Sequence, residues 1–237
     1  MKAEAERAGR EPGAECPLCP RLVAYRQSAR SAEPTWHNAP VATFGPAAAK
    51  LLIVGLAPGL RGANRTGRPF TGDFAGDLLY ATLLEFGFAE GRYRARADDG
   101  LRLNDCAISN AVRCAPPQNK PTSQEINNCR RFLAAAIADR TDLRAIVALG
   151  RVAHESVLRA IAAKPSAFPF GHGAEHRLMR PGGAPLLLFD SYHCSRYNTN
   201  TGVLTPQMFR EVFAAVRRRL DAQEPSVQSA TAPAVAL

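Results

Sequence analysis

The sequence predicts an α/β fold in which a central four-stranded parallel sheet is covered by helices on both faces. Four short apolar runs are spread along the chain of 237 residues, and segments with helical spacing lie between or after them. A repeated order of strand and helix favours a parallel sheet buried on both faces. Hydrophobic residues make up 46% of the sequence, which excludes a disordered chain.

The predicted strands are continuous apolar runs, as expected of strands that are buried on both faces. They are KLLIVGL (50–56), CAISNAV (106–112), AIVALG (145–150) and PLLLFD (185–190). The predicted helices cover 76–88, 122–138, 151–163 and 205–220. Thr122 and Glu125 have the spacing of a capping box, and Thr205 precedes a proline that suits the first helical position.

We expect one domain from residue 15 to residue 221, because no linker divides the middle of the chain. Residues 1–14 are polar and are expected to be flexible. Residues 222–237 lack strand or helix periodicity and are expected to form a disordered tail.

The net charge of +9 and the pI of about 9.7 favour an anionic partner, with nucleic acid first and a membrane surface second. An arginine-rich composition without functional meaning is an equal alternative. No run approaches the roughly 20 apolar residues of a membrane span. The first residues contain no apolar stretch typical of a secretory signal, so we expect a cytoplasmic protein.

Ligands of such sheets bind beyond the carboxyl ends of the strands, where three polar loops are expected to meet. The first loop is rich in glycine, so its backbone N–H groups can approach a ligand closely. In this loop Phe70 is either a core anchor or a stacking platform. Asp73 is either the cap of the next helix or a catalytic acid or base. The loop matches no nucleotide-binding glycine motif.

The other two loops carry one polar candidate each. Asn110 ends the second strand, and its amide either organises the loop or reads the edge of a base. His193 follows the fourth strand in SYHCSRYNTNTG, among residues that favour turns and contacts. Cys194 is an improbable nucleophilic partner of His193, because neighbours at a strand end point in opposite directions.

Six cysteines in a cytoplasmic protein predict metal ligands or free thiols rather than disulfides. CPLC supplies Cys16 and Cys19, and this spacing is a strong metal signal. Cys114 and Cys129 form a weaker second pair. Four thiolates can hold zinc, the default on base rates, or a [4Fe–4S] cluster. Cys106 lies within an apolar strand and is expected to be buried.

Four motifs in order resemble the uracil-DNA glycosylase superfamily, and most closely its family 5, the UDGb type. They are GLAPG, NRTGRPFTGD, SNAVRCAPPQNKPT and SYHCSRYNTNTG. The resemblance extends from Cys16 to the last helix. It implies a three-layer α/β/α sandwich and a monofunctional glycosylase that excises uracil from DNA. It also implies excision of other deaminated bases, such as hypoxanthine or xanthine.

The resemblance implies a role for each candidate residue. It implies a [4Fe–4S] cluster on Cys16, Cys19, Cys114 and Cys129, in place of the zinc default. It implies that His193 stabilises negative charge on the departing base and that Asn110 reads its hydrogen-bonding edge. It implies that Phe70 stacks on the base and that Asp73 positions or activates water.

The loop of Gly55, Leu56, Ala57 and Gly59 is expected to bind the base, in part through its N–H groups. The segment after His193 resembles a loop that enters the minor groove. We therefore expect Arg196, Tyr197 and Asn198 to contact DNA. Leu56, Ala57 and Pro58 stand where other branches of the superfamily carry a catalytic acid or asparagine.

We expect the glycosylase to be a monomer without membrane contacts. Two alternatives to it remain. One is a DNA-binding module, held together by a metal site, that recognises damaged bases without cleaving them efficiently. This alternative remains because the first motif lacks an acid. The other is an RNA-binding protein with a structural zinc site. The position of Asp73, in the pocket or on the helix end, discriminates the module from the enzyme.

Overall fold

The computed structural model describes residues 10–222, and in them a five-stranded, mostly parallel sheet forms the centre of the protein. Its strands are β1 (Leu51–Gly55), β4 (Cys106–Asn110), β5 (Ala145–Leu149), β6 (Glu175–Met179) and β7 (Pro185–Ser191). They lie in the order β4–β1–β5–β7–β6. A separate hairpin pairs β2 (Ala89–Glu90) with β3 (Arg102–Leu103).

Helices cover both faces of the sheet, which confirms the three-layer α/β/α arrangement. They are α1 (Pro20–Ala32), α2 (Ala63–Thr66), α3 (Phe74–Glu85), α4 (Ser123–Ala138), α5 (Arg151–Ala160), α6 (Arg196–Asn200) and α7 (Pro206–Asp221). Helices α3 and α7 pack on one face, and α4 and α5 pack on the other. The capping box of Thr122 and Glu125 is present at the start of α4.

The alternation of side chains along β1 explains why the predicted strands are apolar throughout. Leu51 and Ile53 belong to the core beneath α3 and α7. Leu52 and Val54 belong to the core beneath α4 and α5. Successive residues of a strand point to opposite faces, so a sheet covered on both sides requires apolar residues at every position.

All four predicted strands are present and parallel, but the sheet contains a fifth strand. Strand β6 pairs antiparallel with β7 at the edge of the sheet. Its sequence EHRLM has no apolar run, because an edge strand buries little, and here only Leu178 is fully buried. Helix α1 was also missed, since only Leu22 and Arg26 of its side chains are buried.

Two residues that precede the predicted domain contact its surface and core. Arg10 pairs with Asp139, and Glu11 lies 3.0 Å from the guanidinium of buried Arg113. Of the segment predicted to be flexible, residues 1–9 lie outside the described residues, as does all of the predicted tail beyond residue 222. Among residues 10–222, no helix is both long and apolar enough to cross a membrane.

Candidate active site

The three loops at the carboxyl ends of β1, β4 and β7 meet around one pocket. Its volume is about 340 Å³, at the lower end of the roughly 300–1,000 Å³ of small-molecule sites. The predicted residues that line it are Leu56, Ala57, Gly59, Phe70, Asp73, Asn110, His193 and Arg196. Gly55 lies beneath the pocket, and Tyr197 and Asn198 lie outside its lining.

Gly55 allows Asn110 and Phe70 to approach the end of β1. A β-carbon built on Gly55 would lie 2.5 Å from Asn110 Oδ1 and 2.5 Å from Phe70 Cζ. No side chain fits there, so glycine is required by space rather than by backbone angle. Asn110 is 2% exposed, and its Oδ1 has no hydrogen-bond partner among the described residues. This buried acceptor is therefore available to a ligand in the pocket.

Phe70 is held in a strained loop. Its φ is +52°, which a bulky residue rarely adopts. Buried Arg68 braces the loop: its guanidinium pairs with both carboxylate oxygens of Asp99 at 2.8 and 2.7 Å, and its Nε donates to Thr71 at 2.8 Å. The Tyr80 hydroxyl donates to the Pro69 carbonyl at 2.7 Å. These bonds fix the ring of Phe70 in the pocket wall.

Asp73 caps a helix and also lines the pocket, so the two interpretations of the sequence are not exclusive. Its Oδ1 accepts a hydrogen bond of 3.1 Å from the Gly76 N–H at the start of α3. Its Oδ2 faces the first loop, where a β-carbon on Gly59 would lie 3.4 Å away. Burial raises the pKa of the Asp73 carboxyl, and the Asp77 charge adds to this.

His193 reaches the pocket from the end of β7. Its ring centroid lies 5.9 Å from that of Phe70 at an interplanar angle of 28°, so the first and third motifs are in contact. Burial lowers the pKa of His193 to about 4. The imidazole is therefore neutral at neutral pH and carries one N–H, which can donate to an oxygen in the pocket.

Backbone donors of the first loop add to this polar lining. The carbonyl of Gly55 accepts from Ala111 N–H at 2.9 Å, and that of Leu56 accepts from Val112 N–H at 3.0 Å, so two loops are joined. Within residues 10–222, the N–H groups of Leu56, Ala57 and Gly59 donate to no other protein group. They are free to bind an anionic or carbonyl oxygen.

The segment after His193 forms the short helix α6 at the pocket mouth. Arg196 lies over the ring of Phe74 at 5.2 Å, and Tyr197 is 74% exposed. Both can reach a bound polymer. The side chain of Asn198 instead donates to the His193 carbonyl at 2.8 Å. This bond holds the loop, and the DNA contact predicted for Asn198 stays a prediction.

Asn119 also lines the pocket, although it was not among the residues predicted from the sequence. Asn119 and its neighbour Gln118 have φ values of +57° and +56°. Asparagine tolerates this left-handed conformation better than most residues. The dense turn signals of APPQNKP could have marked the segment, but not the direction of the side chain.

Cys16, Cys19, Cys114 and Cys129 line one cavity beside α1, although they are far apart in sequence. N–H groups point at three of the sulfurs. Asn128 donates to Cys19 Sγ at 3.6 Å, Arg26 to Cys114 Sγ at 3.6 Å, and the Arg113 backbone to Cys129 Sγ at 3.3 Å. Burial raises the pKa values of Cys114 to about 11 and Cys129 to about 12. Free thiols at Cys114 and Cys129 would be protonated, whereas the N–H donors suit anionic sulfur.

The spacing of the sulfurs bears on which group they fit. A tetrahedral zinc with Zn–S bonds of about 2.3 Å brings its four sulfurs to roughly 3.8 Å from one another. Among the described residues, no three of these cysteines have sulfurs within 4.8 Å of one another. The four sulfurs are therefore not in the tight tetrahedral arrangement of a bound zinc ion.

Comparisons with known proteins agree with the pocket. The model of the uracil DNA glycosylase superfamily matches residues 42–217. A type-5 uracil-DNA glycosylase of Thermus thermophilus is 47% identical over 209 residues, which cover 86% of this chain and 93% of that protein. The chain belongs to the type-5 uracil-DNA glycosylases.

Two further relatives show how specific the type-5 assignment is. A type-5 uracil-DNA glycosylase of Mycobacterium tuberculosis is 42% identical over 212 residues, which cover 86% of this chain and 77% of that protein. A type-4 uracil-DNA glycosylase of Thermotoga maritima is 38% identical over only 105 residues, 44% of this chain and 46% of that protein. The sequence-based assignment to family 5 is therefore confirmed.

In this type-5 glycosylase Cys194 follows the third-motif histidine. Cys194 is 0% exposed, and its thiol donates to the Ala75 carbonyl at 3.5 Å. Burial raises its pKa to about 12, which makes it an inert thiol rather than a nucleophile. The contact joins the His193 loop to the helix that Asp73 caps. Cys106 is 0% exposed within β4, as the sequence indicated.

Proposed function

We propose that this type-5 glycosylase excises uracil from DNA by hydrolysing the N-glycosidic bond. The observation that carries the proposal is one pocket in which Asn110, Phe70 and His193 meet. The relatives of this chain are named as uracil-DNA glycosylases. Its sequence-predicted location, the cytoplasm, is compatible with six cysteines that are all free among the described residues.

The flipped base is held on its face and on its edge. A base within the stack is out of reach, so the enzyme extrudes it into the pocket. The ring of Phe70 provides a stacking surface. The Asn110 Oδ1 lies buried without a partner, and the N3–H of uracil supplies the donor that this acceptor needs. Cytosine has no hydrogen on N3, so the same contact discriminates against the normal base.

Catalysis depends on stabilising negative charge on the departing base. Cleavage of the glycosidic bond leaves positive charge on the sugar and negative charge on the uracil oxygens. The neutral His193 imidazole can donate its one N–H to the uracil O2. The free N–H groups of Leu56, Ala57 and Gly59 add further dipoles, and such fixed donors contribute most where charge develops.

Asp73 is placed to position the water that captures the sugar cation. Its Oδ1 is held by the helix cap, and its Oδ2 remains directed toward the pocket loop. The carboxylate is therefore fixed in orientation. A cation-like sugar reacts with water readily, so positioning is a sufficient role for this group.

The substrate range follows from the apolar wall. Leu56 and Ala57 line the pocket without adding a polar side chain. The rate of excision then depends on the leaving-group ability of the base and on the space that the pocket offers it. We expect the enzyme to excise hypoxanthine and xanthine as well as uracil, as its resemblance to family 5 implies.

Single-turnover excision of oligonucleotides that carry each base, followed by alkali, tests these proposals. His193→Ala should excise uracil roughly 10²–10³-fold more slowly with little loss of DNA affinity. A wild-type rate in this variant would refute the mechanism. Binding without excision by the wild-type protein would instead support a module that recognises damaged bases.

The four cysteines beside α1 are proposed to hold a [4Fe–4S] cluster. Four sulfurs in one cavity and N–H donors directed at three of them support this proposal. Arg26 gives further support. It is 4% exposed, donates to Cys114 Sγ at 3.6 Å and to the Cys16 carbonyl at 3.2 Å, and forms no salt bridge within the described residues. The exposed Glu15 carboxylate also interacts with the charge of Arg26, and a thiolate at Cys114 would give this buried cation an anion in direct contact.

Metal analysis of the purified protein tests the cluster. About four irons per chain and a broad visible absorption band are expected, whereas colourless protein with one zinc would refute it. Arg26→Gln should lose iron faster under an oxidant. Arg30→Gln is the matched control, because it lies one turn later on α1 and pairs with Glu15 instead of a cysteine.

A further inference from the structure

A buried hydrogen-bonded cluster lies behind the loop that carries His193. It consists of His154 on α5, His176 on β6 and Asp190 near the end of β7, whose side chains are 2%, 10% and 0% exposed. The Nδ1 of His154 lies 2.7 Å from Asp190 Oδ1, and the Nε2 of His176 lies 3.1 Å from Asp190 Oδ2. None of the three residues lines the active-site pocket.

The hydrogen bonds of His154 imply that it is an imidazolium. Its Nε2 lies 2.8 Å from the Phe168 carbonyl, so both ring nitrogens face oxygen acceptors. A neutral imidazole has one N–H and satisfies only one of them. The Gly171 N–H donates to Asp190 Oδ2 at 3.3 Å, which favours a carboxylate there.

The electrostatics agree with a charged His154. Burial by itself lowers its pKa, but the hydrogen bond and charge of Asp190 outweigh burial, with help from the Phe168 carbonyl and Glu155, and raise it. The titratable groups that face His154 are Asp190 on β7, His176 on β6 and Glu155 on its own helix.

The cluster is a hydrogen-bond network rather than a metal site. Its three ligand atoms lie within 4.8 Å of one another, as a metal site would require. Both nitrogens of His154 and both oxygens of Asp190 are nevertheless occupied by partners within the protein. A metal ion would have to replace these hydrogen bonds, and without one they join the three side chains.

The network extends to the residue before His193. The Asp190 N–H donates to the Ala174 carbonyl at 3.0 Å, and the Asp190 carbonyl accepts from the Gly173 N–H at 2.9 Å. Two residues later, the Tyr192 N–H donates to His172 Nδ1 at 3.1 Å, and their rings stack at 5.0 Å. Segment 168–176 therefore holds the strand end from which His193 projects.

We propose that His154 and Asp190 are positioning residues for His193, because their buried ion pair fixes segment 168–176 against the strand end. The inference rests on the proposed role of His193 in leaving-group stabilisation. If the charge of His154 is lost, Asp190 is left buried without its cation, and the strand end loses its anchor. The imidazole of His193 then moves relative to the base.

Single-turnover excision by His154→Gln tests the proposal, because glutamine keeps one donor but carries no charge. A displacement of about 1 Å at a reacting group lowers a rate by on the order of 10²-fold, and this loss is expected. Affinity for an oligonucleotide with a cleavage-resistant fluorinated deoxyuridine should not change. Leu158→Ala, at a fully buried site on the same helix, is the control: it should destabilise the fold yet keep the excision rate of the folded protein.

Two measurements separate positioning from a general structural role. Long-range proton–nitrogen NMR should show both ring nitrogens of His154 protonated below its raised pKa. As pH rises through the raised pKa of His154, the excision rate of the wild-type protein should fall. The midpoint of this fall should equal the pH at which NMR shows His154 losing its proton. The excision rate of His154→Gln should not show this pH dependence.

A pKa of His154 that is not raised, or a wild-type rate in His154→Gln, would overturn this inference. A wild-type rate in His193→Ala would overturn the proposed function instead. The failure of one proposal is therefore distinguishable from the failure of the other.

Discussion

Replacing Gly55 with alanine should displace the groups that hold the base while leaving the chemistry of the pocket unchanged. The new β-carbon would lie 2.5 Å from both Asn110 Oδ1 and Phe70 Cζ. Ordinary contact is about 3.4 Å, so each neighbour must move by roughly 0.9 Å. A misplacement of about this size costs on the order of 10²-fold in rate, and overpacking costs about 1–3 kcal/mol of stability.

Single-turnover excision of uracil at a temperature where the variant is folded measures this effect. Gly13→Ala is the matched control, because a β-carbon there meets nothing within 4 Å. Gly13→Ala should excise at the wild-type rate. If Gly55→Ala also kept the wild-type rate and affinity, the close approach of Asn110 and Phe70 would have no bearing on catalysis.

Three further predictions concern Asp99, Asp73 and Arg196. Asp99→Asn should destabilise the fold by roughly 3–5 kcal/mol, since it leaves buried Arg68 unpaired. Arg68 lowers the pKa of Asp99, so thermal scans should show this contribution intact above about pH 4 and lost in stronger acid. Asp73→Asn should keep the melting temperature, because asparagine also caps helices. It should slow excision, but by a smaller factor than His193→Ala does. Arg196→Ala should reduce the slope of log binding constant against log salt concentration by about one unit. An unchanged slope would show that Arg196 does not contact the DNA phosphates.

The apolar runs and ordered motifs were sufficient to predict the fold and the family. A strand buried on both faces needs apolar residues at every position, so β1, β4, β5 and β7 were visible in the sequence. Strand β6 was not, because an edge strand with one fully buried side chain has no comparable pattern. The same holds for α1, whose buried face is small.

Residue types at the pocket were also predictable, but their states were not. The loops after parallel strands meet at one edge, which brought Asn110, Phe70 and His193 together as expected. The unpartnered oxygen of Asn110 and the lowered pKa of His193 depend on surrounding residues from distant parts of the chain. The sequence left two roles open for Asp73, a helix cap and a catalytic group. In the structure one carboxylate oxygen caps the helix and the other faces the pocket loop.

The sequence by itself determined the order of elements, the loops that carry chemistry and the cysteines that form a set. These follow from periodicity and spacing along the chain. Only the tertiary structure decided the requirement for Gly55, the bracing of Phe70 by Arg68 and the ion pair of His154 and Asp190 behind His193. The Gly55 contacts and the His154–Asp190 pair join residues that are remote in sequence, and the bracing by Arg68 depends on Asp99, which lies 31 positions away. Such contacts form only when the chain folds, and they set the burial and the charge around each group.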